Sequence, residues 1–279
     1  MKRGTRSVGR GGDPAGEWRP ESEEYYRLSI PEAHPVPAGY VASVDGFRRF
    51  DQSIISDSFA AIYDHEGSRL TDAIGITITR ARGAPLVFNE EEVNAYMLLG
   101  ATEDGRVSVS TDYLDYSIRV FNVDGSADMI IEREKEPVRR NASAFAKMTS
   151  YWQSSYDYLD RERIMVSEFE RTLWKIIPRE GGSIWVVTTD SWTNLPEGSA
   201  EILDEFNEMG QFLRKVIVRK DISPEDDLVY HLSERLVVVT GGFSSSMVAS
   251  GAVVGDPGEA DPDTIELPAA ICCELVRVE

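Results

Sequence analysis

Short runs of alternating apolar and polar residues, separated by glycine-containing turns, recur along this chain. Residues 106–110 (RVSVS), for example, follow Glu103-Asp104-Gly105 directly. Strict alternation is typical of a β-strand with one buried face, and an Asp-Gly pair supplies the backbone conformation of a tight hairpin. The pattern therefore predicts an all-β protein built from hairpins.

Three segments repeat one order of elements: strand, tight turn, strand, longer loop, strand, tight turn, strand. We expect their first turns at Val44-Asp45-Gly46, Glu103-Asp104-Gly105 and Glu180-Gly181-Gly182. Their second turns share an aromatic residue, an Asp or Asn, two further residues and a glycine, beginning at Tyr63-Asp64, Phe121-Asn122 and Phe206-Asn207. The alternative is three unrelated hairpins, but matched pairs of turns favour one repeated unit, as in a β-propeller of four-stranded blades.

The end of the chain predicts a further, three-stranded unit. Its strands are expected at 228–232, 235–240 and 270–278, and a loop rich in Gly, Ser, Asp and Pro occupies 241–268. A free strand edge invites pairing with another chain. We therefore expect residues 25–30, which alternate and precede Pro31, to lie antiparallel beside 270–278.

Two segments do not fit the repeat. Residues 139–163 carry Phe145, Met148 and Trp152 at helical spacing, with Asn141 or Ser143 able to cap the start, which predicts a helical insertion over the loop-rich end of the blades. Residues 1–20, rich in Gly, Arg and Pro, are expected to be a disordered leader. The remaining 21–279 form a single predicted domain.

Charge narrows the choice of partner. The chain has 48 acidic and 29 basic residues and a net charge of -19. A field of this sign repels phosphate, which argues against nucleic acid and against anionic lipid. No apolar run is long enough for a transmembrane helix, so no transmembrane segment is expected.

The turns and strands at 104–107, 116–121, 124–125, 183–186, 205–213 and 235–241 resemble those of a known family. It is the bacterial six-bladed β-propeller family, related to NHL-repeat proteins, and the similarity covers residues 40–279. The resemblance implies a propeller, of which four to five blades are recognisable, and a periplasmic or cell-surface protein if the start is truncated. It brings no conserved catalytic set, so no catalytic residue is predicted.

In a propeller, the loops between second and third strands gather at one end. That end would collect aromatic and carboxylate groups suited to a protein, peptide or carbohydrate ligand. The predicted ligand-binding residues are Asp112, Tyr113, Asp115, Asp190, Trp192 and Asn194. The alternative is that Tyr113 and Trp192 pack against neighbouring loops. A non-catalytic binding or scaffold protein is the favoured function.

Metal chemistry offers a second hypothesis, a calcium-dependent propeller hydrolase or lactonase. Oxygen ligands for Ca²⁺ are available in one acidic loop, at Asp256, Glu259, Asp261 and Asp263, although their spacing matches no recognised calcium loop. The three histidines, His34, His65 and His231, are isolated from one another. No zinc site and no other cofactor are predicted.

Overall fold

The computed structural model describes residues 27–50, 53–81, 84–92, 97–102, 104–219, 228–232, 235–240 and 269–273. In these ranges the protein is mostly β, with seventeen strands and few helices. The chain divides into two compact units, Met1–Pro178 and Arg179–Glu279. The predicted leader, 1–20, lies outside the described residues.

The first sheet contains four antiparallel strands in sequence order. They are β1 (Arg27–Val36), β2 (Gly39–Phe50), β3 (Ser53–Tyr63) and β4 (Arg69–Ala81). β2 and β3 pair from Tyr40–Tyr63 to Phe50–Ser53. The connection between second and third strands is therefore short here, unlike the longer loop that the repeat predicts.

The predicted turn at Val44-Asp45-Gly46 is wrong, because these residues lie inside β2. Asp45 pairs with Ser58 and Gly46 with Asp57 on β3. Pairing along two whole strands outweighs the local preference of one Asp-Gly dipeptide for a turn. The chain instead turns at residues 37–38, between β1 and β2.

The predicted pairing of residues 25–30 with 270–278 is also corrected over the described residues. Arg27 pairs with Phe47 and Leu28 with Gly46, so this segment begins the first sheet. The alternating pattern identified a strand correctly, but a strand next in sequence is the nearer partner and pairs at a lower entropic cost of loop closure.

The second sheet has the same order and packs on the first. After β5 (Phe88–Asn89) come β6 (Leu98–Ala101), β7 (Val107–Ser110), β8 (Ser117–Phe121) and β9 (Ala127–Glu132). A shared core of buried side chains joins the two sheets, contributed by Val36, Val41, Ala60, Ile62, Met97, Leu99, Val107, Val109 and Phe121. Alternation along each strand places these side chains on the facing surfaces.

A helix follows the second sheet, inside the segment 139–163 that predicts one. α1 spans Ala142–Ser155, and the Asn141 side chain accepts a hydrogen bond from Ala144 N at 2.8 Å, as an N-cap. A 3-10 turn (Arg161–Arg163) then leads into β10 (Ile164–Met165), which pairs in parallel with β5. The end of the insertion therefore lies beside β5, the strand that precedes the second sheet.

Two further sheets complete the described chain. The third follows the order β11 (Leu173–Pro178), β12 (Ile184–Thr188), β13 (Ser199–Phe206) and β14 (Phe212–Arg219). A short helix, α2 (Asp190–Thr193), lies between β12 and β13. The last sheet has three strands in the described ranges, β15 (Leu228–Leu232), β16 (Arg235–Thr240) and β17 (Ala269–Cys273).

One hydrogen-bond pattern recurs at five hairpin turns of the described residues. In each, the first residue donates its N–H to the carbonyl four residues on, at 2.8–3.0 Å, and accepts from the N–H of a glycine three residues on, at 2.9–3.2 Å. The five first residues are Asp64, Thr102, Asn122, Arg179 and Asn207. The five glycines have φ between 73° and 98°, a left-handed conformation that glycine adopts without a steric penalty. Two of them, Gly125 and Gly210, lie in turns that the aromatic-Asx pattern predicts.

Burial rises towards the middle of the sheets. β7 and β12 are buried at every position, whereas β9 and β14, the last strands of their sheets, are largely exposed in their first halves. β7 and β12 therefore carry apolar or small side chains on both faces.

Candidate functional site

A buried ion pair fixes the base of the insertion. Glu90 begins the 3-10 turn after β5, and Arg140 precedes the N-cap of α1; both side chains are 1% exposed. Arg140 Nη1 donates to Glu90 Oε2 at 2.8 Å and Nη2 donates to Oε1 at 2.9 Å. This two-pronged geometry is the most directional that an arginine and a carboxylate form.

Tyr113 connects the pair to the second sheet. It lies in the loop between β7 and β8 and is 5% exposed. Its hydroxyl accepts from Arg140 Nη2 at 2.9 Å and donates to Glu90 Oε1 at 3.0 Å. Tyr113 is thus a buried support, which corresponds to the packing alternative that the sequence leaves open.

The chain after α1 supplies the remaining contacts. Ser167 N donates to Glu90 Oε2 at 2.9 Å, and Ser167 O accepts from Arg140 Nη1 at 2.9 Å. Glu170 Oε2 lies 3.2 Å from Arg140 Nε. Three segments distant in sequence therefore meet at one guanidinium group.

The environment keeps both members of the pair charged. Burial alone would raise the pKa of Glu90, but hydrogen bonds from Arg140 and Ser167, together with the charge of Arg140, outweigh it and hold this pKa below its ordinary value. Burial and the adjacent Glu90 carboxylate raise the pKa of Tyr113. Neither Glu90 nor Tyr113 exchanges protons near neutral pH. The group of Glu90, Arg140 and Tyr113 is therefore suited to holding structure rather than to acid–base chemistry.

An aromatic cluster lies beside the buried support formed by Glu90, Arg140 and Tyr113. It consists of Phe88, Tyr151, Trp152, Tyr156 and Tyr158. The Phe88 ring lies 4.7 Å from that of Trp152 and 4.5 Å from that of Tyr156, centroid to centroid. Tyr151 contacts Trp152 at 4.8 Å and Tyr158 contacts Tyr156 at 5.9 Å, both edge to face. The cluster is therefore one continuous row of rings, anchored by the buried Phe88.

The outer end of the aromatic cluster is open to solvent. Tyr151 is 57% and Tyr158 is 67% exposed, and Phe145 and Met165 are also exposed. α1 contains no buried residue, yet Lys147 is its one charged residue in fourteen. A solvent-facing helix usually carries several charges, so an uncharged, ring-bearing surface indicates a contact site.

Asp112 and Asp115 lie next to Tyr113 in the same loop. Asp112 is half-buried, and burial followed by the charge of Asp115 raises its pKa, which Arg119 partly offsets. Asp115 is exposed. These two carboxylates are at the loop end of the second sheet, as the sequence predicts.

The other predicted residues lie together at α2, in the second unit. Asp190 is ion-paired with Lys215 and accepts a hydrogen bond from Asn194 Nδ2 at 3.3 Å. Lys215 Nζ lies 3.7 Å from the buried Asp204. Trp192 is 54% exposed. Asp190 is thus committed to internal contacts, whereas the Trp192 ring faces solvent.

The part of the chain that the structure describes contains neither a metal-ligand cluster nor a membrane-spanning helix. Within the described residues, no three His, Cys, Asp or Glu side chains lie close enough to hold a metal ion. Asp256, Glu259, Asp261 and Asp263 fall outside those ranges. No helix in the described part of the chain has the length and apolar character needed to cross a bilayer.

Sequence reasoning did not find the buried pair or most of the aromatic cluster. Glu90 and Arg140 are fifty positions apart, and neither stands in a motif. The signal for the aromatic cluster was present, since Tyr151, Tyr156 and Tyr158 follow a stretch with few charges. The spacing of Phe145, Met148 and Trp152 predicts the helix but does not indicate its exposed aromatic surface.

Comparison with known proteins yields no match, either to a protein-family model or to a curated protein. Function is therefore inferred from the contacts, exposure and charge of the described residues.

Proposed function

We propose that the protein is a non-catalytic binding propeller that presents its loop-rich end to a ligand. The observation that carries the proposal is the exposure of Tyr151 and Tyr158, the outer rings of the aromatic cluster, beside an ion-paired, buried support. Large exposed aromatic side chains on a rigid base are typical of binding surfaces.

The arrangement of strands supports a propeller. Three sheets consist of four consecutive antiparallel strands each, and the repeated turn occurs in all three. Propeller blades are four-stranded, with middle strands covered by neighbouring blades and a fourth strand at the rim. The burial of β7 and β12 and the exposure of β9 and β14 follow that pattern.

The chemistry of the support favours binding over catalysis. The Glu90 carboxylate already accepts hydrogen bonds from Arg140, Tyr113 and Ser167, and its side chain is 1% exposed. A general acid or base needs access to the substrate and a pKa near the working pH. Glu90 has neither property, and its contacts instead join the insertion to the sheet.

A ligand screen tests the proposal. The wild-type protein and the double variant Tyr151→Ala, Tyr158→Ala are compared on an oligosaccharide array and a random peptide library. We expect at least one ligand to bind the wild type and to lose affinity by about tenfold or more in the double variant, because two exposed rings are removed.

Met209→Ala serves as the matched control. Met209 is 65% exposed but lies in a tight turn of the third sheet, away from the insertion in sequence. Retained binding in this variant with loss in the double variant supports the loop-rich end as the site. Equal binding by all three proteins, or by none, overturns the proposal.

A further inference from the structure

We infer that the aromatic cluster binds a neutral oligosaccharide. The inference rests on the proposed function and narrows it to one class of ligand. It follows from three properties of the surface: the geometry of the rings, the scarcity of charge, and the small polar side chains around them.

The ring geometry matches a row of sugar units. Neighbouring rings lie 4.5–6.0 Å apart, and the two at the ends, Tyr151 and Tyr158, are the most exposed. The C–H face of a pyranose ring carries partial positive charge and is attracted to the negative face of an aromatic ring. Tyr151 and Tyr158, with the half-buried Trp152 and Tyr156, can therefore each contact a sugar unit, whereas the buried Phe88 supports them.

The charge of the protein disfavours acidic ligands. The chain carries a net charge of -19, which repels an acidic polysaccharide. Lys147 is the single charged residue of α1. Asp157 lies between Tyr156 and Tyr158 and is exposed, so its carboxylate can accept hydrogen bonds from sugar hydroxyls.

The side chains around the rings can hydrogen-bond to a sugar. α1 contains four serines among fourteen residues. Serine hydroxyls, the Gln153 amide and the tyrosine hydroxyls offer both donors and acceptors, which a ligand covered with hydroxyl groups can use.

The test measures binding of defined probes by calorimetry. The probes are maltohexaose, cellohexaose, chitohexaose and mannohexaose as neutral oligosaccharides, polygalacturonate as an acidic one, and the peptides recovered in the screen. We expect at least one neutral hexaose to bind the wild type. Tyr158→Ala should weaken it by about tenfold, whereas Tyr158→Phe, which keeps the ring, should weaken it by less than about threefold.

The outcomes separate this inference from the proposed function. Binding of a peptide but of no neutral hexaose, with sensitivity to Tyr158→Ala, overturns the inference and leaves the binding function in place. Preferential binding of polygalacturonate also overturns it. Binding of a hexaose that is unaffected by Tyr158→Ala and Tyr151→Ala overturns both, because the aromatic cluster is then not the site.

Discussion

At the scale of single residues, the Glu90–Arg140 pair shows how one contact can define a local structure. Arg140 reaches Glu90, Tyr113 and Ser167, which lie in three separate parts of the chain. Removing one partner from a buried pair leaves an uncompensated charge and costs about 3–5 kcal/mol. We therefore expect the pair to dominate the stability of the insertion.

The first prediction concerns Glu90→Gln. It should lower the free energy of unfolding at pH 7 by about 3–5 kcal/mol, measured by urea denaturation. The pKa of folded Glu90 lies below its ordinary value of 4.5. Its ionic contribution is therefore present above that value and lost as the pH falls through the folded pKa. The difference between wild type and variant should shrink in acid.

Glu92→Gln is the control for this prediction, since Glu92 lies on the same 3-10 turn but is exposed. It should change the free energy of unfolding by less than about 0.5 kcal/mol. If Glu90→Gln is as stable as Glu92→Gln at pH 7, the buried pair does not hold the insertion.

Sequence reasoning at this scale succeeded where a residue acts locally. The sequence predicts Asn141 or Ser143 as the cap of α1, and the structure has Asn141, through a bond from Ala144 N three positions away. Tyr113 was predicted to face a ligand, but its hydroxyl joins groups contributed by Glu90 and Arg140. Such long-range partners depend on the tertiary fold, and no local pattern specifies them.

At the scale of elements, the repeated hairpin turn is the clearest link between sequence and structure. Its first position is occupied by Asp, Thr, Asn or Arg, so the backbone hydrogen bonds define it more strictly than the side chain does. The glycine is the constant member. This explains why the aromatic-Asx-x-x-Gly pattern found three turns and the isolated Asp45-Gly46 pair was misleading.

The second prediction concerns Gly125→Val in the turn between β8 and β9. Gly125 has φ of 80°, and an added Cβ would lie 2.6 Å from Thr71 Oγ1. A valine there combines backbone strain of about 1–3 kcal/mol with a steric clash against β4. Thermal unfolding should therefore show a lower midpoint than that of the parent protein.

Gly198→Val separates the two effects. Gly198 has a similar φ of 69°, but an added Cβ would meet nothing within 4 Å. This variant should be destabilised by strain alone, and less than Gly125→Val. A Gly125→Val protein that melts like the parent would show that the turn is assigned incorrectly.

At the scale of the whole molecule, the proposed propeller predicts cooperative unfolding. In a closed ring each sheet packs on two neighbours, so a propeller should unfold in a single step. We expect one calorimetric transition whose calorimetric and van't Hoff enthalpies agree. Two separate transitions, with Glu90→Gln shifting only one of them, would contradict a closed ring.

The order of strands in each sheet also determines how the chain folds. In the first three sheets every strand pairs with its neighbour in sequence, so each pairing joins consecutive segments of the chain. A hairpin forms within about 1–10 μs once both of its strands are available. The first sheet is complete in sequence at Ala81, when most of the chain has still to be synthesised. We therefore expect each sheet to assemble on the ribosome in turn, which limits the time that an unpaired strand edge is exposed to aggregation.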